Sequence, residues 1–135
     1  MVNTITNTRQ IAGTKKIVQY VTLSSDGSEE TDYLVYDSSA VATAIGISDP
    51  LDSTITAIYA TTSVAAAARL FLEWDADTDV LALDIPPSNV LDKDFRCIGG
   101  LENTASTGIT GDISLTTTGL ESGDKVTIIL EVTPN

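Results

Sequence analysis

The sequence predicts an all-β fold, a single antiparallel β-sandwich with jelly-roll-like or immunoglobulin-like topology and an extended N-terminal arm. A series of short segments rich in Val, Ile, Thr and aromatic residues alternates apolar and polar positions, as half-buried strands do. Turn residues recur between these segments, and almost no stretch has helical periodicity. We assign residues 1–15 to the arm and residues 16–135 to the sandwich domain.

The domain begins with a predicted β-hairpin. Its strands are Ile17–Ser24 and Glu30–Asp37, and the turn between them contains Asp26 and Gly27. Asp-Gly between two strand-like runs favours a hairpin because the glycine can adopt a positive φ. Apolar residues occupy both faces of the second strand, so we expect the hairpin to lie centrally and to be covered on both sides.

Residues 38–46 are predicted to form a short helix. Ser38 can cap the first turn, and Gly46 can end the helix in a left-handed conformation. Alternate residues from Val41 to Ile45 are also apolar or β-branched, as in an edge strand. Both alternatives stay open on the sequence alone.

The remaining elements are predicted strands. In the first of them, Ile55, Ala57 and Tyr59 alternate and are expected on one face. The strand that ends near Asp75 is expected to turn Leu70, Leu72 and Trp74 inward. The last strand alternates most strictly and is the clearest half-buried strand of the chain. The predicted bounds are 53–62, 67–75, 80–85, 95–98, 112–118 and 125–133.

The charge distribution restricts the partners. Seven basic and 19 acidic residues give a net charge of −12, which argues against nucleic acid and anionic membranes as partners. Residues 1–25 contain Arg9, Lys15 and Lys16 and no acid, so this part carries +3 and the remainder −15. A basic arm on an acidic body indicates that the arm contacts a partner.

Catalytic residue types are scarce. The chain contains no histidine, so the commonest general base and the Ser-His-Asp arrangement are missing. Cys97 is the single cysteine; it cannot form an internal disulfide, and its apolar neighbours predict a small buried side chain. We therefore expect a protein that is not an enzyme and that uses no cofactor.

One sequence pattern is similar to a metal site. Asp75, Asp77 and Asp79 match the first positions of a calcium loop, in which carboxylate oxygens surround the ion. Val80 then stands where the loop needs glycine, and Pro86 stands where it needs a bidentate glutamate. We interpret the segment as a solvated acidic turn and predict no metal.

The aromatic residues allow two interpretations. Tyr20, Tyr33, Tyr36, Tyr59 and Trp74 could build a platform on which sugars stack. Most of them lie in strand-like runs at positions expected to face the core. Core packing is therefore the predicted use of these rings.

Two stretches of the sequence resemble small virion proteins of tailed bacteriophages. They are KKIVQYVTLSSDGSEETDYLVYDSSAV near the start, and FRCIGG followed by GDISLTTTGLESGDKVTIILEV near the end. The resemblance implies a capsid decoration, or cement, protein on the outer capsid surface of the virion. Such proteins form small oligomers at symmetry axes of the shell and clamp neighbouring subunits of the major capsid protein.

The resemblance leads to an adhesive mechanism. We expect a homo-oligomer, a trimer in preference to a dimer, whose arm lies along the shell and pairs with an exposed strand edge. Two alternatives remain: a neck or tail component of the virion, and a carbohydrate-binding module assisted by calcium at the acidic turn. The residues predicted to bind the capsid are Val2, Thr4, Ile5, Arg9, Lys15 and Lys16.

Overall fold

The chain folds into a β-sandwich of two antiparallel sheets, which confirms the predicted fold class. The computed structural model describes residues 3–12, 16–46, 53–64, 67–87, 90–105 and 107–134. The strands are β1 (Thr4–Ala12), β2 (Lys16–Asp26), β3 (Tyr33–Tyr36), β4 (Ser53–Ser63), β5 (Arg69–Trp74), β6 (Val80–Ile85), β7 (Val90–Asp94), β8 (Leu101–Glu102), β9 (Ile113–Thr118) and β10 (Ser122–Pro134), and the helix is α1 (Ser38–Ile45).

The larger sheet has six strands in the order β1-β2-β10-β4-β7, with β8 also paired to β4. Strand β10 lies at its centre and pairs with β2 on one side and β4 on the other. The alternation predicted for this strand is confirmed, because Val126, Ile128, Leu130 and Val132 are all buried in the core.

The smaller sheet has four strands in the order β3-β9-β5-β6. Leu70, Leu72 and Trp74 of β5 point inward as predicted and are almost completely buried. Ile113 and Leu115 of β9 are buried beside them, since β9 pairs with β5 in antiparallel register. The core therefore lies between the inner faces of the two sheets.

The predicted hairpin of residues 17–37 is wrong, because its two strands belong to different sheets. Both edges of β2 are already paired, with β1 and with β10, while β3 pairs with β9. The turn residues behave as expected: Gly27 has φ +98°, and the Asp26 carboxylate accepts a hydrogen bond from the Ser28 N–H. The turn carries the chain from one sheet to the other.

The segment predicted as an N-terminal arm is an edge strand of the larger sheet. Strand β1 pairs with β2 from Thr4 opposite Ser24 to Ala12 opposite Lys16, without a register shift. The arm is thus extended, and its described part is a strand of the sandwich. Val2 and Lys15 lie outside the described residues.

Residues 38–45 form helix α1, and the edge-strand alternative is wrong. The cap is one residue earlier than predicted, because the carboxylate of Asp37 accepts the N–H of Ala40 at 3.1 Å. Gly46 ends the helix with φ +74° and donates its N–H to the carbonyl of Ala42. A short helix with both ends capped bridges β3 and the connection to β4.

The strand predicted at residues 95–98 is wrong. Residues Arg96–Ile98 form a 3₁₀ turn, and the strands on either side of it, β7 and β8, both pair with β4. Gly99 and Gly100 follow with positive φ, and a side chain at Gly100 would overlap Thr54. Cys97 lies in this turn and is exposed, so its predicted burial is also wrong.

A β-bulge interrupts the alternation of inward and outward residues in β4. Ala57 pairs with Glu131, but Ile55 pairs with Val132, so β4 has one extra residue at Thr56. A bulge of this kind reverses the side on which the following residues lie. Ile55 is buried, whereas Tyr59 points outward and is 42% exposed, so the prediction that both lie on one face is wrong.

The central position of β10 gives the first testable prediction. Leu130→Ala, at a residue with 0% exposure, is expected to lower the free energy of unfolding by about 2–5 kcal/mol, because it removes buried area and leaves a cavity. Leu81→Ala is the matched control at a residue with 53% exposure and should cost less than about 0.5 kcal/mol. Urea denaturation of both variants measures the difference, and equal losses would contradict the assigned core.

Candidate interaction surface

The larger sheet carries an exposed aromatic row on the side away from the core. Tyr20 of β2 and Tyr59 of β4 lie directly opposite Ile129 of β10, one on each side. The two tyrosines are 44% and 42% exposed. We call these three residues the tyrosine row.

Further rows extend the surface along the strands. The register places Thr22, Thr127 and Thr61 side by side next to the tyrosine row, and Val18, Glu131 and Ala57 on its other side. We call these six residues together with the tyrosine row the outer face. Its members are threonine, aromatic or aliphatic residues, apart from Glu131.

The charge of Glu131 is neutralised within the structure. Its Oε2 lies 3.0 Å from Nη2 of Arg96 and 3.7 Å from Nζ of Lys16, and its Oε1 accepts a hydrogen bond of 2.9 Å from the hydroxyl of Thr56. Glu131, Arg96 and Lys16 border a shallow depression of about 280 Å³ beside Tyr59. The outer face therefore ends in an ion-paired group with several hydrogen-bonding atoms.

The predicted capsid-binding residues divide between two sides of the sheet. Thr4 pairs with exposed Ser24, and Lys16 lies beside Glu131, so both belong to the side of the outer face. Ile5 and Arg9 pair with buried residues of β2 and point toward the opening between the sheets. The structure does not bring these residues together as one patch.

A hydrogen-bond bridge joins the two sheets at this opening. The amide of Gln19 donates to Oδ1 of Asn7 at 2.7 Å, and the amide of Asn7 donates to the carbonyl of Val35 at 3.1 Å. Arg9 and Asp37 line the same cleft, which has a volume of about 570 Å³. The bridge fixes β1 against β3.

The acidic turn does not gather its aspartates into one ligand set within the described residues. Asp75 accepts a hydrogen bond from Thr110, and Asp79 accepts the N–H of Ala76. Carboxylates within 4.8 Å of one another instead belong to Asp79, Asp32 and Glu73. The contacts of Asp75 and Asp79 are those of a turn stabilised by aspartates.

Of the five aromatic residues considered for a platform, two are core residues, Tyr33 is partly buried against the core, and two are exposed. Tyr36 and Trp74 are fully buried, which confirms their predicted role. The core position expected of Tyr20 and Tyr59 is wrong. The exposure of Tyr20 could have been predicted from the sequence, because this residue alternates with the buried positions of β2. The exposure of Tyr59 could not, because the bulge in β4 interrupts the alternation of inward and outward residues.

Comparison with protein-family models, with curated proteins and with solved structures finds no match to this chain. None of the helices in the described ranges has the length and hydrophobicity needed to cross a membrane. What the protein binds is therefore inferred from its surface.

The carboxylate cluster yields a prediction on pH dependence. Burial raises the pKa of Glu73, the charges of Asp32 and Asp79 act in the same direction, and the hydrogen bond from Thr116 opposes them. Because the pKa is raised in the folded state, ionised Glu73 destabilises the protein at neutral pH. This loss is recovered as the pH falls through the raised pKa toward the ordinary value of 4.5.

Glu73→Gln keeps an acceptor for Thr116 and removes the charge. It is expected to raise the free energy of unfolding at pH 7 by about 0.5 kcal/mol, because it relieves the burial of a charge and its repulsion by neighbouring carboxylates, and both effects are weak at a partly exposed site. The gain should shrink as the pH approaches 4.5. Thermal melts across this range measure it, with Glu102→Gln at an exposed position as the control. A gain that grows on acidification would contradict the assignment.

Proposed function

We propose that the protein is a capsid decoration protein of a tailed phage, which binds the outer surface of the major capsid shell and stabilises it by clamping neighbouring subunits. The proposal follows from the sequence resemblance together with one structural observation, the outer face with its exposed tyrosine row. The protein acts by adhesion, without a cofactor and without catalysis.

The composition of the outer face suits a protein interface. Tyrosine is enriched at the centres of interfaces because it buries a large area and keeps a polar end for hydrogen bonding. Acidic residues give the chain its net charge of −12, yet the outer face contains only Glu131, which is ion-paired. Contact at the centre of the face therefore buries no charge other than this ion-paired one, while Asp92 of β7, opposite Tyr59, lies at its border.

Clamping by a small protein depends on repeated contacts. A single face gains about 25 cal/mol for each Å² of apolar area that it buries, and much of this gain is lost on immobilisation. Linking two or more such faces in one oligomer raises the apparent affinity by roughly 10²–10⁴. An oligomer that spans adjacent subunits resists their separation.

Ile129→Asp tests the proposal at the centre of the outer face. The aspartate would place an unpaired charge in a desolvated contact, so we expect loss of binding to shells of the encoding phage from which the protein has been stripped. Leu81→Asp is the control, because Leu81 is exposed on β6 of the other sheet. Co-sedimentation with the shells measures binding, and circular dichroism checks the fold.

Binding by Ile129→Asp at the wild-type level would contradict the assigned face. Electron cryomicroscopy of wild-type particles tests the location, and density at the neck or tail with bare shell axes would contradict decoration of the capsid.

A second function, carbohydrate binding, is favoured by the spacing of the tyrosine row. Tyr20 and Tyr59 lie on strands separated by β10 and are therefore about 10 Å apart, twice the spacing of neighbouring strands. Two exposed rings at this distance can stack on separate rings of a glycan chain. Lys16 and Arg96 at the adjacent depression could donate hydrogen bonds to its hydroxyl groups.

Tyr59→Ala and Tyr59→Phe separate the two functions. If the row binds glycans by stacking, a glycan array should show binding that Tyr59→Ala abolishes and Tyr59→Phe retains, because phenylalanine keeps the ring. Absence of glycan binding by the wild-type protein would exclude this second function and leave the capsid proposal unaffected.

A further inference from the structure

Strand β1 is a long and regular sheet edge. Its nine residues pair with β2 without a register shift, and no described strand pairs with its far side. Every residue from Thr6 to Ile11 is exposed. Its sequence, TITNTRQIA, contains no proline and a single charge, at Arg9. An edge of this kind presents unpaired N–H and C=O groups that can receive another strand.

The other sheet edges are protected in ways that β1 is not. Three of the five residues of β7 are charged, namely Asp92, Lys93 and Asp94. Strand β3 has only four residues and a register shift, and the ladder between β5 and β6 is also shifted. Charges, short length and bulges are the devices by which proteins prevent edge pairing.

The pattern of β1 is symmetric about its central residue, Thr8. An antiparallel pair of two β1 strands centred there would place Ile5 opposite Ile11 of the second copy, and Asn7 opposite Arg9 of the second copy. The central Thr8 would lie opposite its own copy. Every other pair occurs twice, as two-fold symmetry requires.

Arg9 selects this register. When the two-fold axis is perpendicular to the sheet, opposed residues of the two copies lie on the same face of the sheet. The axis must then pass beside a residue that faces its own copy, so the nearest alternative registers are centred on Asn7 or on Arg9. Centring on Arg9 would oppose two like charges, and centring on Asn7 would oppose Ile5 to Arg9; both are unfavourable. In the Thr8-centred register Arg9 meets an amide, at a cleft that also contains Asp37.

We propose that the far edge of β1 binds a second copy of this chain, so that the two larger sheets become one continuous sheet in a two-fold dimer. The dimer replaces the trimer expected from the resemblance. Its axis is perpendicular to the sheet, so the two outer faces lie on the same side. This doubled face strengthens shell binding if the proposed function holds, but the dimer itself rests only on β1.

Cysteine cross-linking tests the register. Thr8→Cys in a Cys97→Ser background is expected to form an interchain disulfide on mild oxidation, because opposed Cβ atoms in a β-ladder lie about 4.5–5.5 Å apart. Thr6→Cys and Gln10→Cys, in the same background, are matched controls on the same side of β1. Neither should cross-link with itself, but a mixture of the two should, because these positions face each other across the axis.

Thr8→Lys tests the dimer without oxidation. Two lysines would meet at the axis, so sedimentation equilibrium should shift from twice the mass of the chain to the mass of the chain. Thr127→Lys is the matched control on β10, away from the edge, and should remain dimeric while losing shell binding. Loss of shell binding alone therefore reports on the proposed function, and loss of the dimer reports on β1.

Several results would overturn the proposal. A wild-type protein that stays monomeric across a concentration series, or that sediments as a trimer, excludes the dimer. Self-linking of Thr6→Cys or Gln10→Cys as efficient as that of Thr8→Cys excludes the register. A folded Thr8→Lys variant that dimerises like the wild type places the contact elsewhere.

Discussion

The structure depends on the pairing of β10 with strands from the first half of the chain. Strand β10 lies between β2 and β4 and buries every second residue from Val126 to Val132. Because its inner positions are filled with aliphatic side chains, a register slip by one residue would expose the whole set to water. The register is therefore strongly specified, although the paired residues of β2 and β4 are about 60 to 115 positions away in the sequence.

This fixed register also creates the surface from which function is inferred. Ile129 must face outward once Ile128 and Leu130 face inward, and the ladders then align Tyr20 and Tyr59 beside it. No local feature of either tyrosine produces the row. It results from three strands that meet only in the folded sandwich.

The sequence predicted the features that depend on interactions between neighbouring residues, and it failed to predict those that depend on pairing between distant strands. Helix α1 and the inward residues of β5 were predictable, because capping and alternation are local. The hairpin failed because the preference of Gly27 for a turn does not determine which strands the turn joins. The exposure of Tyr59 and Cys97 depended on a bulge and on a 3₁₀ turn closed by two glycines, and both are set by pairing with distant strands.

Charge explains why contacts would concentrate on one side of the molecule. A net charge of −12 makes random association of copies unfavourable, because acidic surfaces repel one another. The outer face and β1 are the exception, since Glu131 is ion-paired and Arg9 is the one charge in the strand. The two surfaces are contiguous across β2, so a second copy added at the edge extends the outer face instead of covering it. Repulsion elsewhere and the low charge here are consistent with the proposed two-fold dimer, in which the two larger sheets form one sheet and the two outer faces lie on the same side.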